Sequence, residues 1–507
     1  MKNIKTVIGI IALLFIAVGS WSFFSVDTNG ATSVRETPIL TLRDGDSYTI
    51  TADYVLKEVS GRNEKMLAYN GSIPGPTLRV VQGATVKVLF VNNTDVDNSI
   101  HFHGVRMDNA FDGVPGVTQP IVKSGETFEY TLTFPDAGIF WYHPHNRDDM
   151  TIENGLYGAV VVAPVGDHSW NTVSREEVLF VDDILLSRQG IVPFEKEYAT
   201  YALMGRYGNT PFLNGSTAFN TTLKQGEVVR YYVINSANVR PFNISFSGAR
   251  MKLVGGDNGL YEKDSFVDSV VIHPSERAII EVSYDEPGTY TIINKASPSL
   301  MKLGTIAVLE GGIDAGAQET FELSTLHREV TESFVAVRNY ATRAPDKELV
   351  LTLTMAGGMM DDMGHGSMME GEVPKDGIEW DDAMPMINEM STSEMVKWKL
   401  VDTATGNENM DIRWELKQGV PVKVRITNDG TSAHPMQHPI HCHGVRFAVV
   451  NRNGVSNENL VWKDTVTIPA GEYADIVLVP EKTGSWMAHC HILEHEDAGM
   501  MAQYATI

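Results

Sequence analysis

Gly138-Ile139-Phe140-Trp141-Tyr142-His143-Pro144-His145 aligns without gaps over Gly288-Thr289-Tyr290-Thr291-Ile292-Ile293-Asn294-Lys295 and over Gly484-Ser485-Trp486-Met487-Ala488-His489-Cys490-His491. A segment that recurs three times marks three structural units. Upstream of each copy lies a second recurring block. Val81-Gln82-Gly83 leads through Thr85 to Val91 to His101-Phe102-His103-Gly104. Lys224-Gln225-Gly226 leads to Ser245-Phe246-Ser247-Gly248, and Lys417-Gln418-Gly419 to His441-Cys442-His443-Gly444. Period-2 alternation, β-branched and aromatic residues and short-spaced Gly, Pro and Asn turns predict an all-β chain. Each unit is expected to be a Greek-key β-sandwich or barrel.

Length and charge agree with that reading. At ~100–200 residues per domain, 507 residues allow about three domains. An apolar fraction of 43% is enough to pack cores, which excludes disorder for the bulk of the chain. The net charge of −24 repels phosphate and attracts cations, so nucleic acid is not an expected partner. Cys442 and Cys490 allow at most one disulfide, so cysteine here points to chemistry rather than scaffold. The basic start Met1-Lys2-Asn3-Ile4-Lys5 and the apolar run Val7 to Phe24 read as a secretory signal within residues 1–30. The product is expected to be exported, periplasmic or extracellular. No clean A-x-A site follows, which leaves an uncleaved amino-terminal anchor as the alternative.

The expected units span 38–166, 174–312 and 345–507. From Gln82 to Gln225 is 143 residues and from Gln225 to Gln418 is 193, so extra chain entered before the third unit. Its place is 355–395, where 41 residues hold 10 of the 22 methionines, 10 acids and one base, Lys375.

Ten of the fifteen histidines fall in four clusters within the first and third units: His101 and His103; His143 and His145; His438, His441 and His443; His489, His491 and His495. The middle unit has Ser245, Ser247, Ile293 and Lys295 in the paired slots and reads as a metal-free spacer. On a strand, residues i and i+2 share a face, so each His-x-His pair presents two imidazoles together. Four pairs from two related units can converge on one pseudo-symmetric site. Eight imidazoles exceed the needs of one ion, and imidazole suits Cu, Zn, Fe and Ni. Alternation sends Cys490 to the face opposite His489 and His491, toward a different ion. With His438, His495 and Met500 it completes the two-His, one-thiolate, one-thioether set of a blue-copper centre.

These motifs resemble the four copper signatures of the multicopper oxidases, and the three repeats resemble their three-cupredoxin-domain subgroup. The resemblance covers nearly the whole mature chain. It implies four copper ions. His438, Cys490, His495 and axial Met500 would hold a type 1 copper, and His101 and His441 a type 2 copper. His103, His143, His145, His443, His489 and His491 would hold a type 3 pair. It further implies single-electron oxidation of a substrate at the type 1 site and reduction of dioxygen to water at the trinuclear cluster. Asp112 and Glu496 match acids that supply protons in that family.

Cys442 is expected to be a buried thiol packing as a small apolar residue. A disulfide to Cys490 is rejected because it would destroy the type 1 site. His168, His273 and His327 are expected on surfaces or turns, and His434 has no spacing-based role. Met384, Met386 and Met390 could cap the third unit, whereas the stretch from Met355 to Met369 has too few other apolar residues to be a core. Soft thioether favours Cu(I), and the insertion resembles the Met-rich cover of bacterial cuprous oxidases of copper tolerance. Met355 and Asp361 are candidate substrate ligands. The reading is therefore a multicopper oxidase acting on Cu(I) or small reducing substrates with dioxygen as acceptor. A monomer suffices, and the type 1 site is expected to expose an edge of His438 or His495. The alternatives are a general laccase oxidising phenols and aromatic amines, or a copper-sequestering protein without turnover.

Overall fold

The computed structural model of the chain describes residues 32–165, 170–296, 300–312, 314–355 and 375–507. The large sheets form three successive pairs, each an all-β sandwich. The first pair packs its core around Phe90, Phe102 and Tyr130, the second around Val233, Phe246 and Ile280, and the third around Leu351, Trp398 and Ile476. The signal-like residues 1–30, His168, and the insertion segment that holds Asp361 lie outside the described residues.

In every unit the two recurring blocks become neighbouring antiparallel strands. His101–His103 pairs with Gly138–His143, Phe242–Ser247 with Gly288–Asn294, and His438–Cys442 with Gly484–Cys490. The register is the same each time: His101 opposes His143, Ser245 opposes Ile293, and His441 opposes His489. The gapless repeat is thus a shared pairing register, and a slip of one residue would turn every imidazole to the other face.

Alternation survives on solvent-facing strands such as Thr85–Asn92 but vanishes inside the assembly. Gly138–His143, Val228–Asn235 and Arg277–Ser283 are buried at every residue. The reason is a second apolar layer between the first two units, containing Ile139, Trp141, Tyr232, Ile234 and Ile279. Strands buried on both faces have no polar side to display. The first and third units are clamped by Asp136, whose carboxylate accepts from Arg106 Nε at 2.6 Å and from Arg446 Nη1 at 2.6 Å.

The middle unit does more than separate the other two. Its Ala202, Leu203, Met204 and Tyr207 are buried within the third unit's core. Its histidine opens a turn as expected, with the Glu276 N–H donating to the His273 carbonyl at 3.0 Å, but the ring is buried and its Nδ1 unpartnered. His327 Nε2 lies 2.9 Å from Asp264 Oδ1, mostly shielded from solvent. The insertion leaves and rejoins the fold as one excursion from a hairpin, since Met355, ending Lys347–Met355, opposes Val396, opening Val396–Asp402. Met384 packs on the third core, whereas Met386 and Met390 on the helix Pro385–Met390 are exposed and cap nothing.

Candidate metal centres

Eight imidazoles from the first and third units meet in one buried volume. His103, His143 and His491 bring their donor atoms within 4.8 Å of one another, as do His145, His443 and His489, and His101 and His441 complete a further group with His103. The rings obey the repeat's pseudo-symmetry. His101 stacks on His443 with centroids 4.0 Å apart, and His103 stacks on His441 at 3.7 Å. Only His101 and His103 lie wholly on a strand. The other three pairs straddle a strand end, so that His145, His443 and His491 emerge from the turn beyond it.

One nitrogen of most rings is anchored outward. His101 Nδ1 lies 2.6 Å from the Asp112 carbonyl, His143 Nδ1 2.7 Å from the Pro144 carbonyl, and His441 Nδ1 2.9 Å from the Asp464 carbonyl. His443 Nδ1 is 2.9 Å from Asp112 Oδ2, and His489 Nδ1 is 2.7 Å from Glu496 Oε2. His103 is reversed: its Nε2 is 3.0 Å from Asp464 Oδ1. Anchoring one nitrogen selects the tautomer and aims the other. The Nε2 atoms of His101, His145, His441 and His491 are buried without any hydrogen-bond partner. Four buried imidazole nitrogens without a hydrogen-bond partner would be costly unless a ligand took their lone pairs. Burial, aided by neighbouring rings, holds His101, His143 and His443 well below the usual histidine range, so they are neutral and available to a cation. The donor set fits copper.

Cys490 faces the other way, with a different company. Its Sγ is 3.6 Å from His438 Nδ1 and 3.8 Å from His495 Nδ1, and these two nitrogens are 3.3 Å apart. The three donor atoms lie close enough together that one ion could be held by all of them. Met500 is fully buried and tied to both neighbours through the backbone. Cys490 N donates to its carbonyl at 3.0 Å, and its own N donates to the His495 carbonyl at 2.9 Å. The set fits a blue-copper centre. Cys442 is a free buried thiol that lines an apolar cavity with Ile440, Ile476 and Tyr504, and burial pushes it up to about 12.

The expected exposed edge is absent. His438 is 1% and His495 0% exposed. Trp398 stacks on His495 at 4.3 Å and meets His438 edge-on at 4.7 Å, while its Nε1 donates to the Ala202 carbonyl of the middle unit. Leu203 N and Met204 N in turn donate to Ser391 Oγ and Asn388 Oδ1 at the end of the insertion. The seal is assembled from three separate stretches of chain, which is why spacing did not foretell it.

The two expected acids differ sharply. Burial raises Asp112 well above the usual carboxylate range. Burial also opposes charge on Glu496, but His489 and His145 outweigh it and hold that carboxyl at about 2. Glu496 lies on the short helix Leu493–Asp497 beside His495, so one turn serves both centres. A cavity of about 280 Å³ reaches Glu496 and His145 past Asp148, Asp149 and Asp497. Asp464, Arg277 and Trp398 were not singled out by sequence. Each stands outside the histidine motifs, and no repeat slot marks it. Met355 ends its strand half-buried against the third core.

Family models described as multicopper oxidase match residues 51–166, 185–316 and 379–507. The chain is 26% identical to the multicopper oxidase mco of Staphylococcus aureus over 477 residues, covering 91% of this chain and 89% of that protein. It is 22% identical to copper resistance protein A of Escherichia coli, covering 96% of each. Its fold matches the solved structure of a multicopper oxidase from Campylobacter jejuni described as a metallo-oxidase, with TM-score 0.70 and 23% identity. That match covers 94% of this chain and 96% of the other.

Proposed function

The chain belongs to the multicopper oxidase family and is a copper-dependent oxidoreductase, and on that premise we propose that it oxidises Cu(I) and delivers the electrons to dioxygen at a trinuclear cluster. His438, Cys490, His495 and Met500 would hold the type 1 copper, His101 and His441 the type 2 copper, and the remaining six imidazoles the type 3 pair. When bound, these ions supply one-electron redox chemistry and the four-electron reduction of dioxygen to water.

The carrying observation is the seal over His438 and His495. A phenol needs contact with an imidazole edge, and Trp398 with the Ala202–Met204 segment denies it. A small cation needs only donors at the outer surface of that seal. His434, four residues before His438, is buried with Nε2 unpartnered, and burial lowers it to about 4, so its ring is neutral. Met355 and Met384 pack on the same core, and their thioethers favour Cu(I) over harder ions. Met355 and Asp361 remain the candidate substrate ligands.

The chain's other groups serve transfer and protonation. Cys490 is bonded through one peptide step to His489 and to His491, a short covalent path between the two centres. Asp112 lies 2.9 Å from His443 Nδ1, and ionised Glu496 faces the cavity from which water can supply protons. Residues 1–30 and the similarity to copper resistance protein A support export and a part in copper tolerance. Among the described residues no helix is long and apolar enough to cross a membrane. Both ligand sets come from one chain, so a monomer suffices.

The test replaces residues 356–395 by a two-residue turn, which the pairing of Met355 with Val396 permits. Cu(I) oxidation is expected to fall and phenol oxidation to rise. Intact Cu(I) oxidation with no gain on phenols would overturn the metal-oxidase reading. Copper-loaded protein that consumes no oxygen beyond its own reoxidation would point to sequestration.

A further inference from the structure

Arg277 is the first residue of the middle unit's strand Arg277–Ser283, fully buried and far in sequence from any histidine motif. Its guanidinium touches all three units. Nη1 and Nη2 reach Asp464 Oδ1 and Oδ2 of the third unit at 2.6 and 2.5 Å, a two-pronged charge-assisted pair. Nε donates at 3.0 Å to the carbonyl of Ile139, on the first-unit strand that ends at His143. Nη1 also donates to the carbonyl of Ser275 at 3.1 Å, and Asp257 Oδ1 accepts from the Arg277 backbone N–H at 2.8 Å.

Asp464 is what makes this more than a domain staple. Its Oδ1 lies 3.0 Å from His103 Nε2, and its backbone carbonyl lies 2.9 Å from His441 Nδ1. One residue therefore aims two stacked imidazoles, one from each outer unit. Thr465 Oγ1, itself 3.1 Å from Ser275 Oγ of the middle unit, sits 3.2 Å from His103 Nε2 and 3.3 Å from His441 Nδ1. Gly104 leaves the space for the pair. A Cβ on it would stand 2.2 Å from Asp464 Oδ2 and 2.8 Å from Arg277 Nη2.

We propose that Arg277 of the middle unit is a positioning residue for the trinuclear cluster, acting through Asp464 to fix His103 and His441. Among the described residues, none of the eight clustered imidazoles comes from the middle unit. It locks the carboxylate that orients two of their ligands, and so couples cluster geometry to the seating of all three units. A buried carboxylate stripped of its only two-pronged cation would turn to find another donor, and the two rings would turn with it. The inference rests on the ligand reading above.

The experiment compares full-length, copper-loaded wild type with Arg277→Gln, Arg277→Lys and Gly104→Ala. Its measures are copper retained against a graded chelator, the paramagnetic resonance signal of the type 2 copper, type 1 blue absorption, and melting of the copper-free chain. Arg277→Gln is expected to weaken copper retention at the cluster about 10–100-fold and to alter the type 2 signal, with the blue absorption unchanged. Arg277→Lys keeps the charge without the fork and should fall between. Gly104→Ala keeps both charges and should shift the type 2 signal by displacing the carboxylate. Variants that keep wild-type retention and signal would overturn the proposal, as would variants that lose both centres in parallel. A wild type that shows no type 2 signal would instead overturn the ligand reading.

Discussion

At the register position where the first and third units pair His101 with His143 and His441 with His489, the middle unit pairs Ser245 with Ile293. The backbone is the same and the chemistry is opposite. Each of these blocks opens on a glycine of large positive φ, yet their surroundings differ. A Cβ on Gly484 would lie 2.4 Å from the Asn109 carboxamide of the first unit, whereas one on Gly288 would meet nothing within 4 Å. In the third unit the block faces another domain, and in the middle unit it does not. Repetition supplies strand pairing three times, and function arises where two copies meet. The middle copy contributes from different edges, through Arg277 at one centre and Ala202–Met204 at the other.

That contrast can be broken most severely at Cys490. Cys490→Ser should abolish the blue absorption and reduce substrate oxidation to background, while copper at the eight imidazoles persists in the resonance spectrum. Loss of both centres together would mean that the two faces of the strand Gly484–Cys490 are not independent.

A smaller effect separates the two acids of the outer units in the copper-free chain. Glu496 has a folded value near 2 against an ordinary 4.5. Its contribution to stability is therefore present above about pH 4.5 and lost as pH falls toward 2. Asp112 is shifted the other way, so its ionisation tendency opposes folding at neutral pH and this penalty vanishes in acid. Glu496→Gln should lower the melting temperature at neutral pH and Asp112→Asn should raise it. Melting curves from pH 2 to pH 7 should show the Glu496→Gln deficit shrinking in acid. Shifts of equal sign would refute the assignment.

The smallest effect is expected in the middle unit. Ser245 is buried and donates to the Asp268 carbonyl at 2.8 Å, so Ser245→Ala should cost about 1 kcal/mol in denaturant unfolding. Copper content and both signals should not change. A change would show that the middle slot still communicates with the metal centres.

Much of this molecule was legible in one dimension. The three-fold block alignment carries the strand register, because residues that repeat at constant spacing repeat their pairing. The histidine positions foretell which imidazoles lie together, because a strand offers only two faces and Cys490 must take the one that His489 does not. The all-β class followed from the same period of two, and the coming together of the outer units from the histidine pairs that they alone carry. The burial of His438 and His495 did not follow. Their seal joins Trp398, Ala202 and the Asn388–Ser391 turn, which adjoin one another only after the middle unit folds over the third. Nor did the Arg277–Asp464 pair, formed across 187 residues. Local spacing dictates which side chains share a face. Which faces then press together, how much solvent they expel and which charge must be neutralised there depend on packing between units, and that packing is written in no single stretch of chain.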